Sequence, residues 1–303
     1  MADQIFDGNL GWRPSSPEKI AYQQREYLWS AAVPKAVDTV NVINTLPNEF
    51  RTWYNQGNHN SCVAYSSAQA MAFMNWKQIG LRNYDAWTMY CKICQLDIDP
   101  QTSCQNDVGA FTWASGDCLK NLGPHLNGKW VLDEGVQRYL WARPGTNGVD
   151  DIRSAISYST DIANSQIVCI GMNWYNFKLK QDENNNWWFN KHDNWGSVVG
   201  GHQIGIFDAV DSADAVGFVN TWGNNWPKKV YMHYDDLAWV LNKAGEAMIL
   251  VDRSFNVPIP PEPEPDPEPT PDPEPILDKI TVGLSLDKDG STYKNDSIEL
   301  TKV

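Results

Sequence analysis

The sequence predicts an α+β protein in which a mainly helical part precedes a part rich in strands. Residues 61–79, SCVAYSSAQAMAFMNWKQI, carry apolar residues at helical spacing, and Gly80 follows as a suitable helix C-terminus. From residue 165 onward, short segments rich in Val, Ile and aromatic residues are typical of strands. Helices that precede strands, rather than alternate with them, indicate two subdomains with a cleft between them.

Weaker patterns predict the remaining elements. Further helices are expected near residues 84–96, 108–122 and 150–158. Strands are expected at residues 165–174, 201–211, 215–223, 229–234 and 247–252. The polar string within QDENNNWWF, residues 181–189, predicts a turn between two aromatic strand ends.

The composition changes sharply at Pro258. Residues 258–275, PIPPEPEPDPEPTPDPEP, contain ten of the 18 prolines and predict an extended polyproline II linker. The last 28 residues are too few for an independent core, so we expect them to bind a larger assembly by strand addition. The predicted segments are a lead-in at 1–45, a main domain at 46–256, the Pro/Glu-rich linker at 258–275 and a strand-like tether tail at 276–303.

Charge and hydropathy exclude some classes of function. The net charge of −13 argues against nucleic-acid binding, which requires a basic face. No run of 18 apolar residues is present, so no membrane span is expected. The first residues lack a basic region followed by an apolar one, so we expect no signal peptide and cytoplasmic synthesis.

Cysteine spacing leaves two interpretations open. The six cysteines are Cys62, Cys91, Cys94, Cys104, Cys118 and Cys169. The C-x-x-C at 91–94, with the two cysteines that follow it, resembles a zinc ligand set, but its outer spacings match no common zinc pattern. Reduced cysteines packed in a buried helix fit the surrounding WTMYCKICQL better. We therefore expect neither a metal nor a cofactor.

Three polar residues form a candidate catalytic set. Cys62 follows the loop QGNHNS at the predicted start of a helix, where the helix dipole favours a thiolate. His202 follows two glycines in a predicted strand, and Asn220 lies on the next strand, so adjacent strands would bring the two together. An asparagine oxygen can fix the orientation of an imidazole, and an imidazole can activate a thiol.

Three blocks in chain order carry a resemblance to a known family. QGNHNSCVAYS (56–66), GGHQIGI (200–206) and NTWGNNW (220–226) resemble the signature blocks of papain-like cysteine peptidases. The resemblance covers about residues 45–252 and is nearest to compact bacterial and phage members. It implies a helical subdomain and an antiparallel, β-rich subdomain, which together form the main domain at 46–256.

The resemblance also implies a role for each site residue. Cys62 would be the nucleophile, His202 the general base and acid, and Asn220 the residue that orients the imidazole. Gln56 would donate its side-chain N–H to the oxyanion, together with the backbone N–H of Cys62. Trp222 would cover the His–Asn hydrogen bond from solvent.

The sequence departs from the family at several positions. His59 and Asn60 stand where the family usually has Cys-Gly, so the family's structural disulfide at this loop is expected to be absent. Val63 replaces the aromatic residue that usually follows the nucleophile. Residues 1–45 contain no typical inhibitory propeptide and are expected to be an irregular lead-in.

Alternatives to this site remain open. His59 is a second candidate base, and Asp208 or Asp211 would complete a Cys-His-Asp set. Four tryptophans are candidates to line the cleft or to stack on sugars, namely Trp174, Trp187, Trp188 and Trp195.

The expected function is thiol-dependent hydrolysis of peptide bonds in a peptide or protein substrate by a cysteine endopeptidase. The tail at 276–303 would tether it to a larger assembly, such as a phage particle (virion) or a cell surface. The alternative is a catalytically silent papain-like scaffold that serves as a structural or binding module of such an assembly. A cell-wall amidase would use similar Cys-His chemistry but would not require the Gln56 and NTWG blocks.

Overall fold

The computed structural model describes residues 10–16, 19, 41–97, 103–157 and 166–253. The predicted linker, the predicted tail and most of the predicted lead-in lie outside these residues. The helices are α1 (Glu49–Trp53), α2 (Cys62–Ile79), α3 (Ala86–Leu96), α4 (Thr112–Asn121), α5 (Gly145–Ser157) and α6 (Tyr234–Lys243). The strands are β1 (Trp12–Arg13), β2 (Ala110–Phe111), β3 (His125–Leu126), β4 (Lys129–Trp130), β5 (Val136–Trp141), β6 (Ile167–Tyr175), β7 (Leu179–Gln181), β8 (Trp187–Phe189), β9 (Val198–Val210), β10 (Ala215–Val219), β11 (Val230–His233) and β12 (Glu246–Asp252).

The second half of the domain is built around an eight-stranded sheet in the order β5-β12-β6-β9-β10-β11-β8-β7. Neighbouring strands are antiparallel except for the parallel pair β8 and β11. The long central pair β6 and β9 places Met172 opposite His202. This mixture of separate helices and a mainly antiparallel sheet confirms the predicted α+β class.

The sheet separates two hydrophobic cores. One core joins α2, α3 and α4 to one side of the sheet, where Phe73 meets Phe207 edge-on with ring centroids 5.1 Å apart. The other core joins α5 and α6 to the opposite side, through residues such as Ile152 and Leu237. The predicted helical part therefore packs on one face, and the later helices cover the other.

Helix α2 lies at the centre of the helical layer. Residues 62–64 and 66–75 are all buried, so this helix is enclosed on nearly every side rather than on one stripe. It ends as predicted at Gly80, whose φ of 86° is readily adopted only by glycine. Within the described ranges, neither α2 nor any other helix combines the length and apolar character needed to cross a membrane.

Most predicted elements lie where expected, but several others were not predicted, among them α1, β3, β4, β5 and α6. Strand β5, VQRYLW, has polar residues in its first half and so lacks a clear strand pattern. Helix α6 begins at Tyr234 directly after β11 ends at His233, so no turn residues separate the two. The acidic pair Asp235 and Asp236 in its first turn, typical of a helix N-terminus, was the available signal.

The expectation of reduced cysteines is wrong for one pair. Cys91 on α3 and Cys104 before β2 form a disulfide, with Cα atoms 4.8 Å apart. Two of the four residues of the alternative zinc set are therefore bonded to each other. Sequence spacing did not reveal this pair because a disulfide depends on the distance and direction of two Cβ atoms in the fold. Cys94, Cys118 and Cys169 are buried free thiols.

Candidate active site

Cys62 is the first residue of α2, and its side chain is fully buried. Its Sγ accepts the backbone N–H of Gln203 at 3.4 Å, so the start of the helix contacts strand β9. Backbone N–H groups of Gly11 and Val63 also lie at this sulfur and lower the pKa of its thiol. A helix N-terminus with converging N–H groups is a favourable position for a negative sulfur.

His202 and Asn220 are hydrogen-bonded, with 2.8 Å between His202 Nε2 and Asn220 Oδ1. Asn220 directly follows β10, the neighbour of β9, so adjacent strands bring the pair together. Asn220 Oδ1 also accepts the N–H of Thr221 at 2.7 Å, which identifies this atom as the acceptor. His202 Nε2 must then carry a proton, and in the neutral ring Nδ1 is a free base.

The Nδ1 atom of His202 is buried and has no hydrogen-bond partner within the described part of the chain. An unsatisfied polar atom in the interior carries an energetic penalty, so such atoms are uncommon unless they have a functional use. The neighbouring residue, Gln203, is the one that contacts Cys62 Sγ. His202 is therefore the chain neighbour of a residue whose backbone N–H contacts the Cys62 sulfur.

Tryptophan rings enclose the imidazole. Trp222 stacks on His202, with ring centroids 4.7 Å apart and an interplanar angle of 29°. Trp174 meets the same imidazole edge-on at 4.8 Å. Trp226 packs against Trp222 at 5.1 Å and completes the group. These rings exclude water from the His202–Asn220 hydrogen bond and so strengthen it.

Gln56 joins the loop before α2 to the segment after Asn220. Its backbone N–H donates to Thr221 O at 2.9 Å, and its Oε1 accepts the Thr221 hydroxyl at 2.6 Å. Its Nε2 donates to His59 O at 2.7 Å. The side chain is 1% exposed, so these contacts hold a buried amide in a fixed orientation beside the residues that precede Cys62.

A segment that the sequence predicted to be irregular crosses this site. We call residues 10–16 the N-terminal strap. Gly11 donates its N–H to Gly201 O at 2.9 Å, and Gly11 O accepts the N–H of Ala110 at 2.8 Å. A Cβ on Gly11 would overlap the backbone of Asn60, so only glycine fits here. The strap thus lies between the loop that carries Cys62 and the strand that carries His202.

Several further contacts anchor the strap. Ser15 donates its N–H and its hydroxyl to the two carboxylate oxygens of Glu246, at 2.6 and 2.7 Å. The guanidinium of Arg13 lies 3.7 Å from the carboxylate of Asp97. Trp12 is buried between the two subdomains. The strap has no detectable sequence pattern, because its strand is only two residues long.

Burial sets the protonation of the pair. It raises the pKa of Cys62 to about 12, although nearby N–H groups act in the opposite direction. It lowers the pKa of His202 to about 4, although the bond to Asn220 opposes this change. Thiol and imidazole are therefore both neutral at physiological pH while the strap is in place. A thiolate–imidazolium pair requires this site to gain water or substrate.

The alternative catalytic residues are engaged elsewhere. His59 places Nδ1 3.5 Å from Asp107, and its ring lies 4.4 Å from that of Trp87. Asp208 accepts the N–H groups of Val42 and Ile43. Asp211 accepts two hydrogen bonds from the guanidinium of Arg153. Their contacts are those of residues that hold loops and helices in place.

The four tryptophans proposed for the cleft divide into separate groups. Trp174 is the one that contacts His202. Trp195 packs on Phe177 with a centroid distance of 4.7 Å. Trp187 and Trp188 lie on the short strand β8, where Trp188 stacks on His233 at 4.8 Å. Trp174 and Trp195 are thus joined through Phe177, whereas Trp188 packs on the ring of His233.

No family model and no curated protein matches this chain. Many solved structures are similar to it, including the following three. Xylellain, a cysteine protease from Xylella fastidiosa, has a TM-score of 0.48 and 16% identity, covering 80% of this chain and 91% of the other. Procathepsin B S9 from Trypanosoma congolense has a TM-score of 0.50 and 12% identity, and the match covers 82% of this chain and 84% of the other. The proform of Amb a 11, a ragweed pollen cysteine protease, has a TM-score of 0.49 and 15% identity, covering 78% and 74%. The similarity to the trypanosomal proenzyme confirms that this chain has the papain-like fold predicted from its sequence.

Proposed function

We propose that this chain is a thiol-dependent peptide hydrolase, a cysteine endopeptidase, that its own N-terminal strap holds in a latent state. The observation that carries the proposal is the His202 Nε2–Asn220 Oδ1 hydrogen bond of 2.8 Å, beside a cysteine at a helix N-terminus. This arrangement supplies a nucleophile, a base with a defined tautomer and a group that orients the base.

The reaction begins when His202 Nδ1 takes the proton of the Cys62 thiol. The sulfur then attacks the carbonyl carbon of a peptide bond, and a C–S bond forms. The backbone N–H of Cys62 and the Nε2 amide of Gln56 stabilise the negative oxygen. His202 gives its proton to the leaving amine as the C–N bond breaks.

Water completes the cycle. It attacks the thioester carbon while His202 Nδ1 accepts one of its protons. The C–S bond then breaks, the peptide acid leaves, and the sulfur regains a proton from the imidazolium. Throughout, the Asn220 oxygen holds the Nε2–H of His202, and the aromatic rings keep bulk water from that bond.

Latency follows from the position of the strap. Gly201 O and the N–H of Ala110 are backbone groups to which an extended peptide could bind by strand addition, and Gly11 occupies both. Cys62 has no exposed surface, so a substrate carbonyl cannot reach its sulfur in this arrangement. Activity then depends on displacement or cleavage of the strap.

The test is cleavage of a peptide library by full-length Gly11→Val. The added side chain overlaps Asn60 and should expel the strap, so we expect cleavage by this variant and little by the wild type. Gly11→Val/Cys62→Ala is the control for chemistry, and Pro14→Ala, at an exposed strap position, is the control for substitution as such. Circular dichroism verifies the fold of each variant. A folded Gly11→Val protein whose Cys62 reacts with iodoacetamide but that cleaves no peptide would refute the proposal.

Complete burial of Cys62 is the observation that favours the second candidate function, a silent scaffold. A scaffold has no need to release the strap, so Cys62 would remain unreactive under every condition in which the protein stays folded. The reactivity of Cys62 in the Gly11→Val variant therefore separates the two functions.

Tethering to a larger assembly through residues 276–303 is part of the proposal and rests on the sequence of the linker and tail. The Cys91–Cys104 disulfide supports residence at a virion or cell surface, because disulfides persist in oxidising surroundings. In the Gly11→Val background, removal of residues 276–303 should leave peptide cleavage intact and abolish co-sedimentation with the assembly.

A further inference from the structure

We propose that the pocket filled by Trp12 selects a tryptophan side chain in the peptides that this enzyme cleaves. The pocket is formed by Thr112, Gly171 and Gly201, with Gln203 hydrogen-bonded to Thr112, and we call it the indole pocket. This inference rests on the proposed function, because it names the substrate class of the same site. It treats the strap as a ligand that the chain supplies to its own cleft.

The indole pocket contains a hydrogen-bond acceptor for the ring nitrogen. Trp12 is 3% exposed, and its Nε1 donates to Thr112 Oγ1 at 3.0 Å. Thr112 Oγ1 in turn donates to Gln203 Oε1 at 2.8 Å. A side-chain amide oxygen can only accept, so this bond uses the single hydrogen of the threonine hydroxyl. Thr112 therefore faces the indole as a fixed acceptor, which suits a ring that carries an N–H.

The pocket also has the shape of a bicyclic ring. Gly171 on β6 and Gly201 on β9 lie on neighbouring strands, and a Cβ on either glycine would overlap the Trp12 indole. Any other residue at these positions would fill the space that the ring occupies. Shape and hydrogen bonding thus point to the same ligand group.

Gln203 connects this pocket to the nucleophile. Its Nε2 donates to Ser66 Oγ at 2.9 Å and to Val63 O at 3.2 Å, both in the first turns of α2. Its backbone N–H donates to Cys62 Sγ. The wall that recognises the indole is therefore held rigidly against the start of the catalytic helix.

The position of the pocket relates it to the scissile bond. Gly11, the neighbour of Trp12, donates its N–H to Gly201 O, directly before His202, and packs on Asn60, two residues before Cys62. A side chain in the indole pocket consequently belongs to a residue adjacent to the one that lies over the nucleophile. This is close enough for the pocket to determine which peptide bonds meet Cys62.

The first experiment measures recognition without catalysis, using full-length Trp12→Ala with its pocket empty. The probes are 3-methylindole and 3-methylbenzothiophene, which share a shape but differ in the N–H. We expect calorimetry to give a Kd about tenfold lower for 3-methylindole, because the thiophene leaves the buried acceptor unpaired. The difference should vanish in Trp12→Ala/Thr112→Val. Equal affinity of the two probes, or binding of neither, would overturn the inference.

The second experiment measures selection during cleavage, using full-length Gly11→Val and fluorogenic peptide pools. One position at a time is fixed as Trp, 3-benzothienylalanine or Phe. At one position we expect kcat/KM for Trp to exceed that for benzothienylalanine by about tenfold, with the ratio near one in Gly11→Val/Thr112→Val. Cleavage without this preference overturns the indole pocket but leaves the peptidase intact. Absence of any cleavage by a folded Gly11→Val protein whose Cys62 reacts with iodoacetamide overturns the peptidase, and the inference falls with it.

Discussion

Gly11 donates its backbone N–H to the carbonyl oxygen of Gly201, the residue directly before His202, at 2.9 Å. This bond and the contact of Gly11 with Asn60 place the strap between the two halves of the candidate site. The strap therefore contributes to the burial that keeps Cys62 and His202 neutral. Its release should change the reactivity of Cys62 before any substrate is added.

The pH dependence of Cys62 alkylation tests this relationship. With the strap in place, burial raises the pKa of Cys62 to about 12, so the thiolate fraction and the labelling rate should keep rising with pH beyond 9. In Gly11→Val, water and His202 can stabilise the thiolate, so labelling should persist well below the pKa of an ordinary thiol, ~8.5. At pH 6 we expect a rate on the order of a hundredfold above wild type. Mass spectrometry after iodoacetamide treatment measures it, with Pro14→Ala as control. Identical pH profiles for wild type and Gly11→Val would show that the strap does not control the thiol.

The His202–Asn220 bond should matter for catalysis more than for folding. In the Gly11→Val background, Asn220→Ala leaves the imidazole Nε2–H without its acceptor, and kcat/KM should fall by about tenfold to a hundredfold. The alkylation rate at pH 6 should fall with it, because the imidazolium that supports the thiolate is less stable. Exposed Asn224 provides a matched control, since Asn224→Ala changes an asparagine on the same segment. Equal effects of the two substitutions would show that Asn220 does not orient His202 for catalysis.

The hydrogen-bonded pair of Ser15 and Glu246 should make the free energy of unfolding depend on pH. Burial raises the pKa of Glu246 to about 7, although the bonds from Ser15 oppose this change. The folded state thus binds the proton more tightly than the unfolded state, so the group destabilises the fold progressively as pH rises from about 4.5 to about 7. Glu246→Gln keeps the shape and removes the charge. Its free energy of unfolding should exceed that of wild type by on the order of 2–3 kcal/mol at pH 8, and the gap should close near pH 4.5.

Urea unfolding of wild type and Glu246→Gln, followed by tryptophan fluorescence at the two pH values, measures this gap. Other ionisable groups contribute equally to both proteins and cancel in the difference. A gap that stays constant between pH 4.5 and 8 would mean that Glu246 does not titrate in this range.

The disulfide between Cys91 and Cys104 should stabilise the domain by limiting the unfolded chain. The two cysteines are 13 residues apart. A disulfide that closes a loop of this size raises the free energy of unfolding by about 3 kcal/mol. We expect Cys91→Ser and Cys104→Ser to lower the free energy of unfolding by similar amounts and the double variant to lose no more than either. A reducing agent should destabilise wild type and leave the variants unchanged. Additive losses in the double variant would contradict the pairing.

The site residues that could be predicted from the sequence are those that lie within a recognisable local pattern. Cys62 was placed correctly because helix α2 begins within a polar loop, and His202 and Asn220 were paired because consecutive strands are usually neighbours. The contact between Gly11 and Gly201 joins residues far apart in the chain and depends on a glycine that fits against Asn60. No periodic pattern reports such a contact.

Thr112 and Gln203 could not be predicted from the sequence for the same reason, because their contact joins residues far apart in the chain. Thr112 and Gln203 form a hydrogen bond across the cleft, yet in the sequence each is an ordinary polar residue within an apolar segment. Their hydrogen bond can be recognised only in the folded structure, where both side chains are buried. A buried polar group needs a hydrogen-bond partner. Gln203 carries a further hint, since it directly follows His202 at a position where a buried strand would usually have an apolar side chain.

Gln56 allows the proposed oxyanion contact to be tested with a change of one functional group. Gln56→Glu keeps the shape and the oxygen that accepts the Thr221 hydroxyl, but it replaces the Nε2 donor, which also bonds to His59 O, with a second oxygen. In the Gly11→Val background, kcat should fall by about 10²–10³, because the donor acts on charge that develops only in the transition state. KM should change little, since the ground-state carbonyl carries no such charge. Steady-state kinetics on one fluorogenic peptide measures both constants. Gln95→Glu, at an exposed position on α3, controls for the added negative charge. A rise in KM at constant kcat would assign Gln56 to substrate binding, and the oxyanion role would then belong to the backbone N–H of Cys62 alone.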